Sequence, residues 1–372
     1  MPQLYERLAA RGVSRRRFLT YCAGMAASIG LGAAAAPDVA FAIGQGRLAP
    51  AVWLNLGSCT GCTESLAQGD SPDVATVVLD LLSLDYAETL MAAAGTQAEE
   101  ATRASLERGG HIAIIEGSVM TGEGGNTLRI GGRPGTELLR EVCDGASLVI
   151  AVGSCAVDGG WVRAAPNPAG ATGVADALPA LSERLVNLPA CPVNPEWIAA
   201  VLVEHLLLGR LPALDAERRP TRIYGATIHD GCPRRGHYEN GEFVERFGTE
   251  EEHLGWCLYH MGCKGPTTRA NCPGVRWNRR ASWCVEAGSP CIGCASPEWV
   301  DGNAPFLAAS DAVTPGIAGV TPLEIGSMTA AAAAGGFAAW GVREAARGQR
   351  RHPGAPAEDA TTRTNEGSGG TE

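Results

Sequence analysis

The stretch VWLNLGSCTGCTES, Val52 to Ser65, contains a short apolar strand that runs directly into a turn bearing two thiols. Val52 to Leu56 reads as the strand, and Cys59 and Cys62 follow it in a C-x-x-C spacing. The pattern repeats downstream. His111–Ile115 reads as a strand ending at Glu116-Gly117, Ser147–Val152 as another ending at Gly153, and Leu185–Leu188 as a further one. Thr76–Leu82 completes the expected set as the second strand. Helical composition lies between them at Thr96–Arg108, stopped by Gly109-Gly110, and at Glu137–Cys143. Pro195 opens a helix through Leu208, because proline is tolerated in a first turn. Val- and Ile-rich strands alternating with helices predict an open parallel sheet covered on both faces.

On that sheet, GSCTGCTES follows the first strand, VGSCAVDGG with Cys155 follows the fourth, and LPACPVNP with Cys191 follows the fifth. The carboxyl ends of strands in such sheets share one edge, where ligands bind. Cys59, Cys62, Cys155 and Cys191 are therefore expected to converge in space. Glu64 and Glu116 fall at the same edge, where a helix-terminus charge, a turn residue or a contact to a partner would each account for them.

Beyond about Leu211 the periodicity fades and Gly, Pro, Trp and Cys rise. Seven cysteines lie between His229 and Cys294. Such a segment lacks an adequate apolar core and is expected to be held by what its thiols bind. One group offers His229 and Cys232, then Cys257 and Cys263; the other offers Cys272, Cys284, Cys291 and Cys294. Zinc accepts such donors at loose spacing. A disulfide framework is less suited, because C-x-x-C pairs make strained bridges. Cys-Pro dipeptides at Cys191, Cys232 and Cys272 resemble bacterial ferredoxin runs and favour iron–sulfur clusters. Cys143, His111 and His205 sit in helix or strand patterns and read as packing residues. His237, His253 and His260 flank candidate ligands.

The N-terminus reads as an address. Arg15-Arg16-Arg17-Phe18-Leu19 contains a twin arginine, an Ala/Gly-rich apolar run from Thr20 to Ala36 follows, and Ala40-Phe41-Ala42 is a small-x-small cleavage site. Cys22 lies inside this segment and is expected to leave with it. Residues 1–42 carry a charge of +3 within a net −10, so the remainder stands at −13. An acidic body excludes a nucleic-acid footprint, which needs a basic face. Ile325–Val342 is eighteen uncharged residues, but eleven are Ala or Gly, so a terminal helix lying on protein or at a surface is expected. The tail after Arg343 has a disordered composition.

The pieces CTGCTESL, SLDYAETLMAAAG, IEGSV, GSCA…GG, PACPVNP, IHDGCPRRGHYENGEF, CLYHMGCKGPTT, NCP and PCIGC, in this order, resemble the small subunit of a [NiFe] hydrogenase. The resemblance implies four segments: a twin-arginine signal at 1–42, a flavodoxin-like domain with a proximal cluster at 43–210, an iron–sulfur domain at 211–322, and a helix with a disordered tail at 323–372. It implies a proximal [4Fe-4S] cluster on Cys59, Cys62, Cys155 and Cys191, and a distal [4Fe-4S] cluster on His229, Cys232, Cys257 and Cys263. It also implies a medial cluster on Cys272, Cys291 and Cys294, usually [3Fe-4S]. Here Cys284 stands where such relatives have proline, and a fourth thiolate would make a medial [4Fe-4S] cluster. No catalytic residue is implied, since the nickel–iron centre belongs to the large subunit. The implied partners are that subunit and an electron carrier, a cytochrome or membrane redox protein, on the periplasmic side or outer membrane face. Gly61 and Gly160 occupy the places where oxygen-tolerant relatives have two additional cysteines. The other functions that the residues allow are an iron–sulfur component of a quinone- or sulfur-reducing complex and a zinc-stapled scaffold.

Overall fold

The computed structural model describes residues 48–69, 77, 82–297, 299–308 and 331–343, with Ser14, Arg16, residues 18–20, Cys22, Ala23, Ala36 and Pro37. Met1–Thr314 gathers into one compact unit and Pro315–Glu372 into another.

In the first unit the five main strands are β1 (Ala49–Asn55), β2 (Leu82–Ala87), β3 (Ile112–Glu116), β4 (Leu148–Val152) and β5 (Leu185–Leu188). They form one parallel sheet in the order β2-β1-β3-β4-β5, which is the flavodoxin-type winding. The helices used below are α1 (Gly61–Ala67), α2 (Thr96–Arg108), α3 (Gly135–Cys143), α4 (Gly153–Asp158) and α5 (Pro195–Leu208).

β3 and β4 are buried at every position, as expected of strands covered on both faces. Side chains alternate across the sheet. Trp53, Ile114, Ile150 and Val186 lie in register and pack with Leu66 of α1 and with Trp197, Ile198 and Val201 of α5. Val52, Ala113, Val149 and Leu185 face the other way, toward Leu139, Val142 and Cys143 of α3. Cys143 is thus a core residue, as its helical pattern suggested. Each large aliphatic side chain buried in these layers contributes about 1.5–3 kcal/mol. α5 starts as expected: Asn194 caps it by accepting from the Glu196 N–H at 3.0 Å, with Pro195 behind the cap. Gly209, at φ 61°, ends it in a left-handed turn.

One strand is displaced from its expected place. Of the stretch 76–82 only Val77 and Leu82 are described; Val77 has helical backbone, and β2 begins where the expected strand ends. Val77, Val78 and Leu79 make the more apolar half of the run from Thr76 to Ala87, whereas Ser83 and Asp85 interrupt the other half, so apolar content pointed to residues N-terminal of those that hydrogen-bond to β1. Pairing of Ala49 with Leu82 decides it.

Between Leu211 and Ala308 the described residues form only short helices, such as Thr221–Tyr224, Arg235–Glu239 and Cys272–Val275. Apart from a small cluster of Tyr238, Cys257 and Tyr259 with Phe243 against it, buried residues of this segment share the core of the sheet. Trp283, Val285, Cys272 and Cys291 belong to the same buried cluster as Trp53 and Trp197. The indole of Trp197 donates to Asn271 at 2.8 Å, and the Tyr224 hydroxyl donates to the Pro189 carbonyl at 3.0 Å.

In the N-terminal segment Phe18 and Cys22 are buried in that cluster, and Arg16 is exposed. Arg15, Arg17 and the expected cleavage site lie outside the described residues. In the second unit residues 331–343 are helical and exposed. No helix among the described residues is long and apolar enough to cross a membrane.

Candidate metal centres

Strand register places the first group of thiols. Asn55, Glu116, Val152 and Leu188 stand level at the carboxyl ends of β1, β3, β4 and β5. The loops leaving those ends bring Cys59, Cys62, Cys155 and Cys191 around one cavity of about 70 Å3, also lined by Glu116, Gly153 and Pro192. Cys59 is exposed at its rim and Cys62 is buried. The cavity exists because its walls carry no Cβ at key points. An added Cβ on Gly153, at φ 84°, would lie 2.5 Å from the Cys62 sulfur, and one on Gly160, at φ 47°, would lie 2.8 Å from that of Cys155. Gly61 stands in the same relation to Cys59, at 3.1 Å.

The turn between the two cysteines that follow β1 is held from below. Thr60 takes left-handed backbone at φ 59°, uncommon for a β-branched residue. Glu116 secures it. Only 2 % exposed, its carboxylate accepts the Cys62 N–H at 3.0 Å, the Thr63 N–H at 3.1 Å, the Thr63 hydroxyl at 2.5 Å and the Trp53 indole N–H at 3.1 Å. It therefore satisfies two of the free N–H groups at the start of α1. The sequence suggested a turn residue or a partner contact for Glu116; the structure makes it the anchor of the loop. The available signal was a single acid closing IAIIE, an otherwise fully apolar buried strand. Glu64 is exposed in the first turn of α1.

Burial raises the thiols of this group. Cys62 stands well above the ordinary thiol range, from burial first and the nearby Glu116 second; Cys191 is pushed up to about 12 by burial and by Cys155. Main-chain donors beside them, the Val193 N–H for Cys62 and the Trp161 N–H for Cys155, oppose this; the Ser118 hydroxyl donates to the Gly159 carbonyl at 2.8 Å.

In the second group Cys272 and Cys291 are buried, and Cys294 is partly buried. Cys284 is exposed as a residue, yet burial raises its thiol, which lies within electrostatic reach of Cys263, Cys272 and Cys294. The third group lines a pocket with His229, Cys232, Cys257 and Cys263 together with Tyr259 and Val285. Burial, then the Arg235 charge, lowers the His229 pKa; a neutral imidazole is the ligating form. Tyr238 meets its ring edge-on at 4.4 Å. His237 and His260 pair instead with Glu242 and Glu245, each at 2.6 Å. His111 is buried and bonds to the Val142 carbonyl at 2.7 Å, a packing role.

Consecutive groups are joined by hydrogen bonds. The Cys291 N–H donates to the Cys263 sulfur at 3.4 Å. Ser154, beside Cys155, donates its hydroxyl to the Cys294 carbonyl.

The donor sets suit iron–sulfur clusters. Among the described residues, no three His, Cys, Asp or Glu side chains are gathered as a single metal ion requires. Zinc draws its donors to about 2.0–2.3 Å from one point, whereas a cluster offers each ligand its own iron at a different corner. Thiolate-rich sets around a cavity backed by glycine fit the latter.

A parallel sheet with thiols along one edge, followed by an irregular thiol-rich segment, defines an iron–sulfur electron-transfer protein. Comparison with known proteins supplies the family. Residues 224–307 match the C-terminal family of the NiFe/NiFeSe hydrogenase small subunit, and residues 59–205 match the family of the NADH ubiquinone oxidoreductase 20 kDa subunit. The chain is 43% identical over 302 residues to the periplasmic [NiFe] hydrogenase small subunit 1 of Nitratidesulfovibrio vulgaris, spanning 81% of this chain and 95% of that one. It is 38% identical over 288 residues to the hydrogenase-2 small chain of Escherichia coli, 77% of each. The reduced, active Ni-Fe-Se hydrogenase from Desulfomicrobium baculatum superposes with a TM-score of 0.67 at 34% identity, over 71% of this chain and all of the matched one. The chain belongs to the small subunits of [NiFe] hydrogenases, which transfer electrons within an enzyme acting on H2 and pair with a hydrogenase large subunit.

Proposed function

We propose that the chain relays electrons through three clusters in the order proximal, medial, distal. Cys59, Cys62, Cys155 and Cys191 hold the proximal [4Fe-4S] cluster. Cys272, Cys284, Cys291 and Cys294 hold a medial [4Fe-4S] cluster, and His229, Cys232, Cys257 and Cys263 the distal [4Fe-4S] cluster. The clusters supply one-electron redox steps between the large subunit's Ni-Fe site and an external carrier. The protein fixes their positions, buries their sulfurs and directs N–H groups at them, which sets potential. The order is supported by two hydrogen bonds, from the Ser154 hydroxyl to the Cys294 carbonyl and from the Cys291 N–H to the Cys263 sulfur at 3.4 Å. The first joins the neighbour of Cys155 to the medial set, and the second joins the medial set to the distal one.

We read residues 43–210 as the part serving the proximal cluster and 211–322 as the part serving the other two. The match of residues 59–205 to a different oxidoreductase family shows why the first part alone would allow a quinone-reducing reading. The eight downstream ligands have no use in a single-cluster protein. Purified protein should be brown and contain iron and inorganic sulfide in equal amounts. Colourless protein with stoichiometric zinc would overturn the reading in favour of a scaffold.

Export by the twin-arginine route to the periplasmic side belongs to the same proposal. That route moves folded proteins, so thiols cross already bound. The periplasmic naming of the Nitratidesulfovibrio relative and the exposure of Arg16 support it. Replacing Arg15 and Arg16 by lysine should leave holoprotein and its large partner in the cytoplasm. Normal periplasmic hydrogenase activity in the double variant would refute it.

A further inference from the structure

His229 and Tyr238 meet ring to ring across a fold-back of the chain. His229 opens the short turn His229–Gly231, and its main-chain N–H donates to the Gly265 carbonyl at 3.2 Å. Past Cys232 the chain returns: the Arg235 N–H donates to the Cys232 carbonyl at 3.1 Å, at the start of the helix Arg235–Glu239 that carries Tyr238. The Tyr238 ring then stands edge-on to the imidazole, with ring centres 4.4 Å apart and planes inclined at 70°. Tyr238 is itself fixed. It is 8 % exposed, and Tyr259 and Phe243 meet it edge-on at 5.5 Å and 5.8 Å. These rings share their buried cluster with Cys257.

A histidine that binds metal is ordinarily oriented by a hydrogen bond from its second ring nitrogen to a carboxylate, a carbonyl or water. His237 and His260 have carboxylate partners in Glu242 and Glu245. His229 has none among the described residues; Asp230 and Glu239, the two acids of residues 229–239, pair with Arg235.

We propose that Tyr238 is a positioning residue for the distal site, whose ring, in place of a hydrogen bond, fixes the plane of the His229 imidazole. The inference rests on the reading that His229, Cys232, Cys257 and Cys263 bind a distal [4Fe-4S] cluster. An imidazole with no orienting acceptor turns about two side-chain bonds, and its terminal torsion is broad. Only part of that range presents a nitrogen to the cavity that His229 lines with the three thiols. Packing against a locked aromatic ring removes the rest. Tyr238 does not line that cavity, so it supports the ligand from behind without competing for iron.

The test is pulsed electron paramagnetic resonance of the reduced heterodimer labelled with nitrogen-15 histidine, together with iron loss to a chelator. The wild type should show one narrow histidine-nitrogen coupling on the distal cluster. Tyr238→Leu removes the ring and should spread or weaken that coupling. It should also lose distal iron about tenfold more readily, the lower end of what a metal site loses with an orienting partner. Tyr238→Phe keeps the ring and should match the wild type in both measurements. Unchanged coupling in Tyr238→Leu overturns the proposal, whatever the iron loss. A wild-type distal cluster with no histidine coupling overturns instead the ligand reading beneath it. Should Tyr238→Leu fail to load iron, the wild type decides: a single narrow coupling upholds the proposal, and a broad spread of couplings overturns it.

Discussion

Cys284→Pro should convert the medial cluster from four irons to three and create a three-iron resonance signal in the oxidised protein. The wild type should show no such signal in proportion to protein. The argument has three parts. The family resemblance implies proline at this place where the medial cluster has three irons, so the substitution would give that implied ligand set. The Cys284 sulfur acts on Cys272 and Cys294, which places it with the group it would complete. Its main chain already lies in a turn, with the Ser289 N–H donating to the Cys284 carbonyl at 2.9 Å, so the loop returns toward Cys291 without the thiol. The potential of the medial step should rise in the variant, because cluster type and ligand charge both change. One iron per protein should be lost. A stoichiometric three-iron signal in the wild type that Cys284→Pro leaves unaltered would assign Cys284 to packing.

Glu116→Ala should remove the proximal cluster and destabilise the sheet domain together. The carboxylate is the acceptor for four donors, three of them N–H groups with no other partner at hand. Each buried donor left unpaired costs about 1–3 kcal/mol, so the loss is about 3 kcal/mol or more. The Cys62 N–H and Thr63 N–H belong to the first turn of α1, so the C-x-x-C loop should lose its fixed geometry, and iron content should fall. Glu116→Gln keeps one acceptor oxygen and presents an NH2 group to the remaining donors; its loss should be intermediate. Thermal unfolding and iron analysis check both variants. Wild-type melting and full iron in Glu116→Ala would show that the loop is held by other means.

Much of this was legible in order along the chain. Short Val/Ile strands, each ending in Gly or a thiol, announced a parallel sheet, because strands buried on both faces must be apolar throughout and ligand loops leave their carboxyl ends. Gly109-Gly110 and Pro195 set helix limits by backbone chemistry alone. The grouping of the first four thiols followed from strand order. β2 was misplaced, since the apolar Val77-Val78-Leu79 drew the reading away from Leu82–Ala87, where Ser83 and Asp85 alternate with Leu84 and Tyr86.

The sequence by itself determined the family resemblance, the sheet and the inventory of twelve candidate ligands, because residue type and spacing are local information. Tertiary structure alone decided what surrounds them. Glu116 became an anchor because β3 ends level with the turn that follows β1. The medial and distal thiol sets became neighbours through the Cys291 N–H and the Cys263 sulfur. Hydrogen bonds of this kind join residues far apart in the chain, and their geometry exists only after the sheet has brought its carboxyl ends to one edge.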